Sequence, residues 1–185
     1  VETEVLPIDL AVGRILATDL QAASDSPPFS NAAVDGYAFR FADVCEKYLE
    51  LTKGRAAAGH PFSDAIEKGQ ALRIFTGAVL PAGAATVVLQ EDVQVEGNKI
   101  YFGNSLNPGA NTRAAGEDIK RGQIIAFKQD HVTAFMAASS ISSGIKRAEV
   151  YRKLKVGVFS TGDELIDFEQ PLKFGSVFDV NSPML

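Results

Sequence analysis

Four polar stretches of the sequence bring carboxylates, an arginine and small residues together in spacings that can do chemistry. The first is PPFSNAAVDGYAF, residues 27–39, in which two prolines stiffen the approach to Asp35 and Gly36. An Asp-Gly turn exposes its carboxylate, which can position a metal ion or a substrate. The alternative is an Asx turn in which Asp35 only accepts hydrogen bonds from backbone amides.

The second stretch, RIFTGAVLPAGA, covers residues 73–84 and ends an apolar run at Thr76 and Gly77. A hydroxyl and backbone N–H groups in such a turn can bind an anion. The stretch lacks the lysine and the paired glycines of a phosphate loop, so it is weak evidence for a nucleotide site. An ordinary turn is the alternative.

The third stretch, NPGANTRAAGEDI, covers residues 107–119 and sets Arg113 before Glu117 and Asp118. The guanidinium fork of Arg113 matches an oxyanion such as phosphate or molybdate, and the two carboxylates suit a hard cation such as Mg²⁺. The alternative is a local ion pair at the surface.

The fourth stretch, STGDEL, covers residues 160–165 and follows KVGVF, residues 155–159, which is predicted to be a short buried strand. A strand that ends in a polar, glycine-containing turn is typical of a ligand site at a sheet edge. Gly162 lets a ligand approach the backbone, and Asp163 or Glu164 can accept from a heterocyclic N–H or bind Mg²⁺. Solvated acids in a strand-to-loop turn are the alternative.

Composition excludes several classes of protein. The 185 residues are 46% hydrophobic and 22% charged, which is unlike a disordered tail, a collagen-like fibre or a coiled coil. The net charge of 18 − 23 = −5 argues against a nucleic-acid partner. We expect no membrane segment and no signal peptide, since no apolar run reaches about 18 residues and the start is VETE. With Cys45 as the single cysteine, a cytoplasmic location is expected.

The elements that must position these stretches are predicted from periodicity and capping signals. Asp9 is predicted to cap a short helix over residues 10–14, and residues 34–125 are predicted to be mostly β, with a hairpin turn at residues 96–98. Asp130 is predicted to cap a long helix that ends near Gly144. Residues 176–180 read as a further strand, and residues 181–183 as the start of a helix.

Taken together and in order, these stretches resemble the molybdopterin molybdenumtransferases, the MoeA proteins and the E domain of gephyrin. The resemblance runs from LPIDLAVGRILATDL through PPFSNAAVDGYA, RIFTGAVLPAGA and GANTRAAGEDI to VGVFSTGDEL. It implies the last step of molybdenum cofactor synthesis: insertion of molybdate into adenylylated molybdopterin with release of AMP, in a Mg²⁺-dependent reaction. It also implies a homodimer and an upstream molybdopterin adenylyltransferase as partner.

The resemblance also implies roles for individual residues. The functional positions it marks as catalytic are Asp35, Thr76, Arg113, Asp118 and Glu164. Thr76 and Arg113 would bind anions. Metal ligands would be Asp35, Asp118 and Glu164, and pterin contacts would come from Gly162, Asp163 and Glu164.

The implied architecture is mixed α/β with several domains. Residues 1–23 and 125–150 would form an elongated, discontinuous linker and dimerisation domain, and residues 24–124 an inserted β-rich domain. Residues 151–185 would be the truncated start of the α/β pterin-binding domain, which leaves the fragment inactive alone.

The family pattern and the sequence differ at four positions. Ala32 and Val34 stand where the family usually has Ser and Met, and Ala114 and Ala115 replace arginines that often follow the equivalent of Arg113. Fewer arginines are compatible with an alternative function, a non-catalytic pterin-binding or scaffold module of the same fold.

Overall fold

The chain forms two compact units, residues 1–151 and residues 152–185. The computed structural model describes residues 2–103 and 105–184, so the predicted domain ends at Val1 and Leu185 lie outside the described residues. The structure is mostly sheet. The finer division into α/β domains stays a prediction.

The elements of the described residues follow in chain order. The strands are β1 (Thr3–Pro7), β2 (Leu20–Gln21), β3 (Asn31–Ala32), β4 (Gly36–Phe39), β5 (Leu49–Ala56), β6 (Gln70–Ile74), β7 (Thr86–Leu89), β8 (Gln94–Glu96), β9 (Lys99–Tyr101), β10 (Thr112–Arg113), β11 (Ile124–Ala126), β12 (Arg147–Tyr151), β13 (Leu165–Ile166) and β14 (Val177–Phe178). The helices are α1 (Ala134–Ser142) and the 3-10 helices Ile8–Ala11, Phe41–Asp43 and Gln90–Asp92.

A six-stranded sheet dominates the first unit, in the order β7-β4-β6-β5-β9-β8. Strand β4 runs antiparallel to both β6 and β7, and β5 runs parallel to β6. The predicted hairpin is confirmed: β8 and β9 pair antiparallel with Glu96 opposite Lys99, leaving Gly97 and Asn98 as the two-residue loop. The prediction that the regular structure of residues 34–125 is mostly β is also confirmed.

Three two-stranded sheets pair segments that are distant in sequence: β1 with β12, β2 with β11, and β3 with β10. The first two pairs and α1 enclose one apolar core, formed by Ile8, Ala11, Leu16, Leu20, Ala126, Val132, Ala137, Ala148 and Val150. The six-stranded sheet has its own two cores. One includes Leu72, Ile74 and Val87, and the other includes Phe39, Leu49, Val88 and Ile100.

The predicted cap of the long helix is wrong. The helix begins at Ala134 and has nine residues, because Thr133 and not Asp130 is its cap: Thr133 Oγ1 accepts from the Met136 amide at 3.1 Å. Asp130 instead accepts from the Phe127 amide at 2.8 Å. Gly144 lies just past the end with φ +83°, as predicted for a left-handed terminus.

The predicted cap at Asp9 is also wrong. This residue lies inside the 3-10 helix Ile8–Ala11, which follows Pro7 and has no side-chain cap.

The second unit corrects the prediction for residues 155–159. They form no strand, and Val156 and Phe159 are 75% and 83% exposed. A buried strand needs neighbours on both sides and cover on both faces, which an apolar run does not supply by itself. The strands of this unit are β13 and β14, a parallel pair with Leu165 opposite Val177.

Residues 182–184 form a turn, in which Met184 N donates to Asn181 O at 3.2 Å, rather than the predicted start of a helix. None of the helices in the described part of the chain has both the length and the apolar character needed to cross a membrane.

Gly36 lets β7 approach β4 closely. A Cβ atom at this position would lie 2.0 Å from Val88 O, a backbone atom that the sheet holds in place. Gly36→Ala is therefore expected to lower the free energy of unfolding by about 1–3 kcal/mol through overpacking, measured by urea denaturation. Gly103→Ala is the control, since a Cβ there meets nothing within 4 Å. Equal free energies of unfolding for Gly36→Ala and Gly103→Ala would contradict the close approach of β7 to Gly36.

Candidate functional site

Asp35 and Thr76 meet where two antiparallel strands come together. Asp35 immediately precedes β4, and Thr76 lies two residues beyond the end of β6. Because Gly36 pairs with Ile74, the two residues are held side by side. Asp35 Oδ1 accepts hydrogen bonds from Thr76 N at 2.8 Å and from Thr76 Oγ1 at 2.7 Å. The structure thus brings together two residues that are 41 positions apart in sequence.

These hydrogen bonds favour the ionised form of Asp35. The Thr76 hydroxyl is the largest cause that lowers the pKa of Asp35, followed by the Thr76 amide and the positive charge of Arg73. Desolvation of the Asp35 carboxylate raises the pKa, but it does not cancel the lowering by the hydrogen bonds. Asp35 is therefore a carboxylate at neutral pH that accepts from a neighbouring segment, and it does not merely form a local Asx turn.

Arg113 and Asp118 form a second cluster. Arg113 Nη2 donates to Asp118 Oδ1 at 2.6 Å, and Arg113 Nε donates to Glu117 Oε1 at 3.3 Å. These contacts, Asp118 first, raise the pKa of Arg113. The surface ion pair that the sequence left open as an alternative is therefore present, and the guanidinium fork is already partnered by carboxylates.

Backbone hydrogen bonds join the segments that carry these two clusters. Gly77 N donates to Ala32 O at 2.8 Å, and Ala32 N donates to Ala78 O at 3.0 Å. On the other side, Ala33 N donates to Asn111 O at 2.9 Å. The segment that precedes Asp35 therefore lies between the TGA turn, residues 76–78, and the TRAAGED loop, residues 112–118. Three of the four predicted stretches are thus neighbours in the structure.

The fourth stretch belongs to the second unit. Gly162, Asp163 and Glu164 are all exposed. The Glu164 carboxylate folds back over Gly162, since a Cβ at residue 162 would lie 2.7 Å from Glu164 Oε2. Gly162 also lines a cavity of about 510 Å³, together with Ser160, Leu165, Asp179 and other residues of this unit.

The family described as "MoeA N-terminal region (domain I and II)" matches residues 1–144. The chain belongs to the MoeA family. A molybdopterin molybdenumtransferase of Haemophilus influenzae is 38% identical over 181 residues, covering 97% of this chain and 45% of the relative. One from Nostoc is 36% identical, covering 97% of this chain and 42% of the relative.

Solved MoeA structures have the same fold. A molybdopterin biosynthesis MoeA protein from Pyrococcus horikoshii OT3 matches with a TM-score of 0.87 and 37% identity, covering 99% of this chain and 50% of its own. A second Pyrococcus MoeA structure matches with a TM-score of 0.84 and 35% identity, covering 97% of this chain and 47% of its own. The chain spans under half the length of the Haemophilus influenzae and Nostoc relatives.

The predicted metal ligands do not come together in one cluster of the described residues. Among residues 2–103 and 105–184, no group of three or more His, Cys, Asp or Glu side chains converges to hold a metal ion. Asp35 accepts from Thr76, Asp118 is paired with a cation, and Glu164 belongs to the other unit.

Sequence reasoning missed a polar network beside Asp35 in the MoeA site. Arg73 donates to Gly36 O at 2.9 Å and to Gln90 Oε1, and Gln90 Nε2 donates to Glu91 Oε1 at 3.0 Å. The hydrogen bond from Gln90 is the largest cause that lowers the pKa of Glu91. Residues 90 and 91 follow β7, so only the strand order of the sheet places them near Asp35.

Asp179 is a second candidate that sequence reasoning missed. Its Oδ1 accepts from Ser160 Oγ at 2.9 Å and from the amides of Asn181 and Ser182 at 3.0 and 3.1 Å. Hydrogen bonding, with Ser182 as the largest cause, lowers the pKa of Asp179. The sequence signal for Asp179 is the Asp-x-Asn-Ser pattern of residues 179–182. This pattern is typical of an Asp side chain that accepts from the amides two and three residues later.

Thr76→Ala is expected to raise the pKa of Asp35 toward its ordinary value, because the largest cause of the lowering is removed while the backbone bond remains. A lowered carboxyl pKa contributes stability above the unfolded-state pKa, and this is lost as pH falls through the folded-state pKa. The variant should therefore lose less stability on acidification. Carboxyl ¹³C NMR titration measures the change, and Thr76→Ser, which keeps the hydroxyl, is the control. An unchanged pKa in Thr76→Ala would refute the assignment.

Proposed function

We propose that the whole protein containing this chain inserts molybdate into adenylylated molybdopterin and releases AMP. The observation that carries the proposal is the Asp35–Thr76 contact, in a chain whose relatives are named molybdopterin molybdenumtransferase. We propose this chain alone to be inactive, since it spans under half of those relatives. A cytoplasmic location and an upstream molybdopterin adenylyltransferase as partner belong to the same proposal.

The chemistry assigns distinct tasks to the first unit. Release of AMP requires hydrolysis of a phosphoanhydride. The oxygen of a water molecule bonds to one phosphorus, the bond from that phosphorus to the bridging oxygen breaks, AMP leaves, and the water proton passes to solvent. An ionised carboxylate oriented by two donors, as Asp35 is by Thr76, can accept a hydrogen bond from the attacking water and orient it at neutral pH. Proximity and orientation supply the rest, because a fixed carboxylate loses little entropy in the transition state.

Anion binding is assigned to the Arg113 loop. Exposed ion pairs are weak in water, so the guanidinium of Arg113 can exchange Asp118 and Glu117 for the oxygens of molybdate or phosphate. A planar fork matches two oxygens of a tetrahedral oxyanion. Thr76 contributes to the anion site through the TGA turn.

The pterin is assigned to the second unit. The carboxylates of Asp163 and Glu164 can accept from the N–H groups of a pterin, and Gly162 admits the ring close to the backbone. The cavity beside Gly162 supports this assignment. We also propose the elongated domain of residues 1–23 and 125–150, the inserted domain of residues 24–124 and the pterin-binding domain that begins near residue 151. Mg²⁺ dependence stays a prediction of the family resemblance.

Asp35→Asn in the full-length protein tests the enzyme proposal. With adenylylated molybdopterin, molybdate and Mg²⁺ supplied, AMP release should fall by about 100-fold or more, because the amide carries no charge with which to hold and orient the attacking water. The matched control is Asp9→Asn, an exposed carboxylate in the first unit that lies in the 3-10 helix Ile8–Ala11. Full activity of Asp35→Asn would refute its role, and no AMP release from the wild type would refute the reaction. Pterin binding without AMP release would favour the scaffold alternative.

We propose a homodimer whose site is shared, with Asp35, Thr76, Arg113 and Asp118 from one subunit and Glu164 from the other. Mixing full-length Asp35→Asn and Glu164→Gln, each inactive alone, should restore about a quarter of wild-type turnover, since half of the dimers are mixed and each has one intact site. Subunit exchange is checked by light scattering and mass spectrometry of differently tagged chains. Mixed dimers without activity would exclude a shared site.

A further inference from the structure

Arg73 connects the segment that carries Asp35 to the end of a second strand. It lies in β6, opposite Tyr37 of β4. Its Nη1 donates to Gly36 O at 2.9 Å, and its Nη2 donates to Gln90 Oε1. One guanidinium therefore holds the residue after Asp35 and a residue that follows β7.

Two aromatic rings lie against this guanidinium. Its central carbon lies 4.7 Å from the ring centroid of Phe75 and 5.1 Å from that of Tyr37. Stacking of this kind favours arginine over lysine, because an ammonium group has neither the plane nor the fork. The side chain is half-buried and so has little freedom to leave this position.

The contacts of Arg73 involve neighbours of both Asp35 and Thr76. Phe75, under the guanidinium, is the residue immediately before Thr76. On the other side, Gln90 N donates to Asp35 O at 3.2 Å, and Gln90 Oε1 accepts from Arg73. Movement of Arg73 would therefore release both the acceptor and its donors.

We propose that Arg73 is a positioning residue for Asp35: by holding Gly36 O and Gln90 while stacking on Phe75 and Tyr37, it fixes the distance between the Asp35 carboxylate and Thr76. The kinetic part of this inference rests on the proposed function, and the structural part does not. Arg73 itself touches no reacting atom in this scheme.

Arg55 provides a matched control within the same sheet. It lies in β5, directly opposite Arg73, and stacks more loosely on Phe75 with its central carbon 5.9 Å from the ring centroid. The side-chain hydrogen bonds to Gly36 O and Gln90 Oε1 come from Arg73. Arg55→Gln removes one positive charge from the sheet, as Arg73→Gln does. It leaves the guanidinium of Arg73 and its hydrogen bonds in place.

The test uses full-length Arg73→Lys, Arg73→Gln and Arg55→Gln. Hydrogen exchange followed by mass spectrometry should show faster exchange of the Thr76 amide in both Arg73 variants, with exchange in β9 unchanged. Turnover should fall by about 10- to 100-fold in both, with KM within about twofold, because a catalytic group displaced by about 1 Å loses rate rather than binding. Arg55→Gln should resemble the wild type in both measurements.

Several results would overturn the proposal. They are full turnover in Arg73→Lys, equal losses in Arg55→Gln and Arg73→Gln, or unchanged exchange at Thr76. In an Asp35→Asn background, Arg73→Gln should cause no further loss of turnover, since the group it positions is already disabled. If the wild type releases no AMP, the proposed reaction fails, and the exchange measurement still decides whether Arg73 holds Thr76 against Asp35.

Discussion

The close approach of two backbones at Gly36 is the constraint on which the site in the first unit depends. Strand β4 lies between β6 and β7, and the Val88 carbonyl occupies the space where a side chain at residue 36 would begin. Only glycine tolerates this approach without displacing a strand. Because β4 is held on both sides, its first residues bring Asp35 next to the ends of both neighbours, where Thr76 and Gln90 lie.

Asp35 and Asp118, two of the carboxylates of the first unit, have different surroundings. Asp35 accepts from a neutral hydroxyl and an amide, which stabilise its charge without cancelling it. Asp118 is paired with Arg113, whose positive charge is shared between Asp118 and Glu117. Neither arrangement is a metal cage, in keeping with the way in which the described carboxylates are spread over separate clusters.

The second unit presents a different physical situation. Within its described residues, 152–184, there is one parallel pair of two-residue strands, and large apolar side chains such as Phe159, Phe168 and Phe174 are exposed. So short a stretch buries too little apolar surface for a core of its own. Its polar residues are nevertheless organised, since Asp179 gathers a hydroxyl and two amides.

The sequence by itself determined the local features and the family. Gly97 and Asn98 specify the hairpin between β8 and β9, and the order of the four polar stretches pointed to the MoeA family. Such features depend on contacts within a few residues, or on a pattern preserved along the chain. The sequence misplaced the helix cap, because Asp130 and Thr133 are both good cap residues and only the path of the preceding loop chooses between them.

The tertiary structure alone decided which residues meet. Strand order places Thr76 and Gln90 beside Asp35, although they lie 41 and 55 positions away along the chain. It also decided that KVGVF does not form a strand here, since an apolar run becomes a strand only when other strands pair with it. Arg73 had no distinguishing feature in the sequence. Its importance comes from the register of β4 against β6, which sets its guanidinium between two rings and two acceptors.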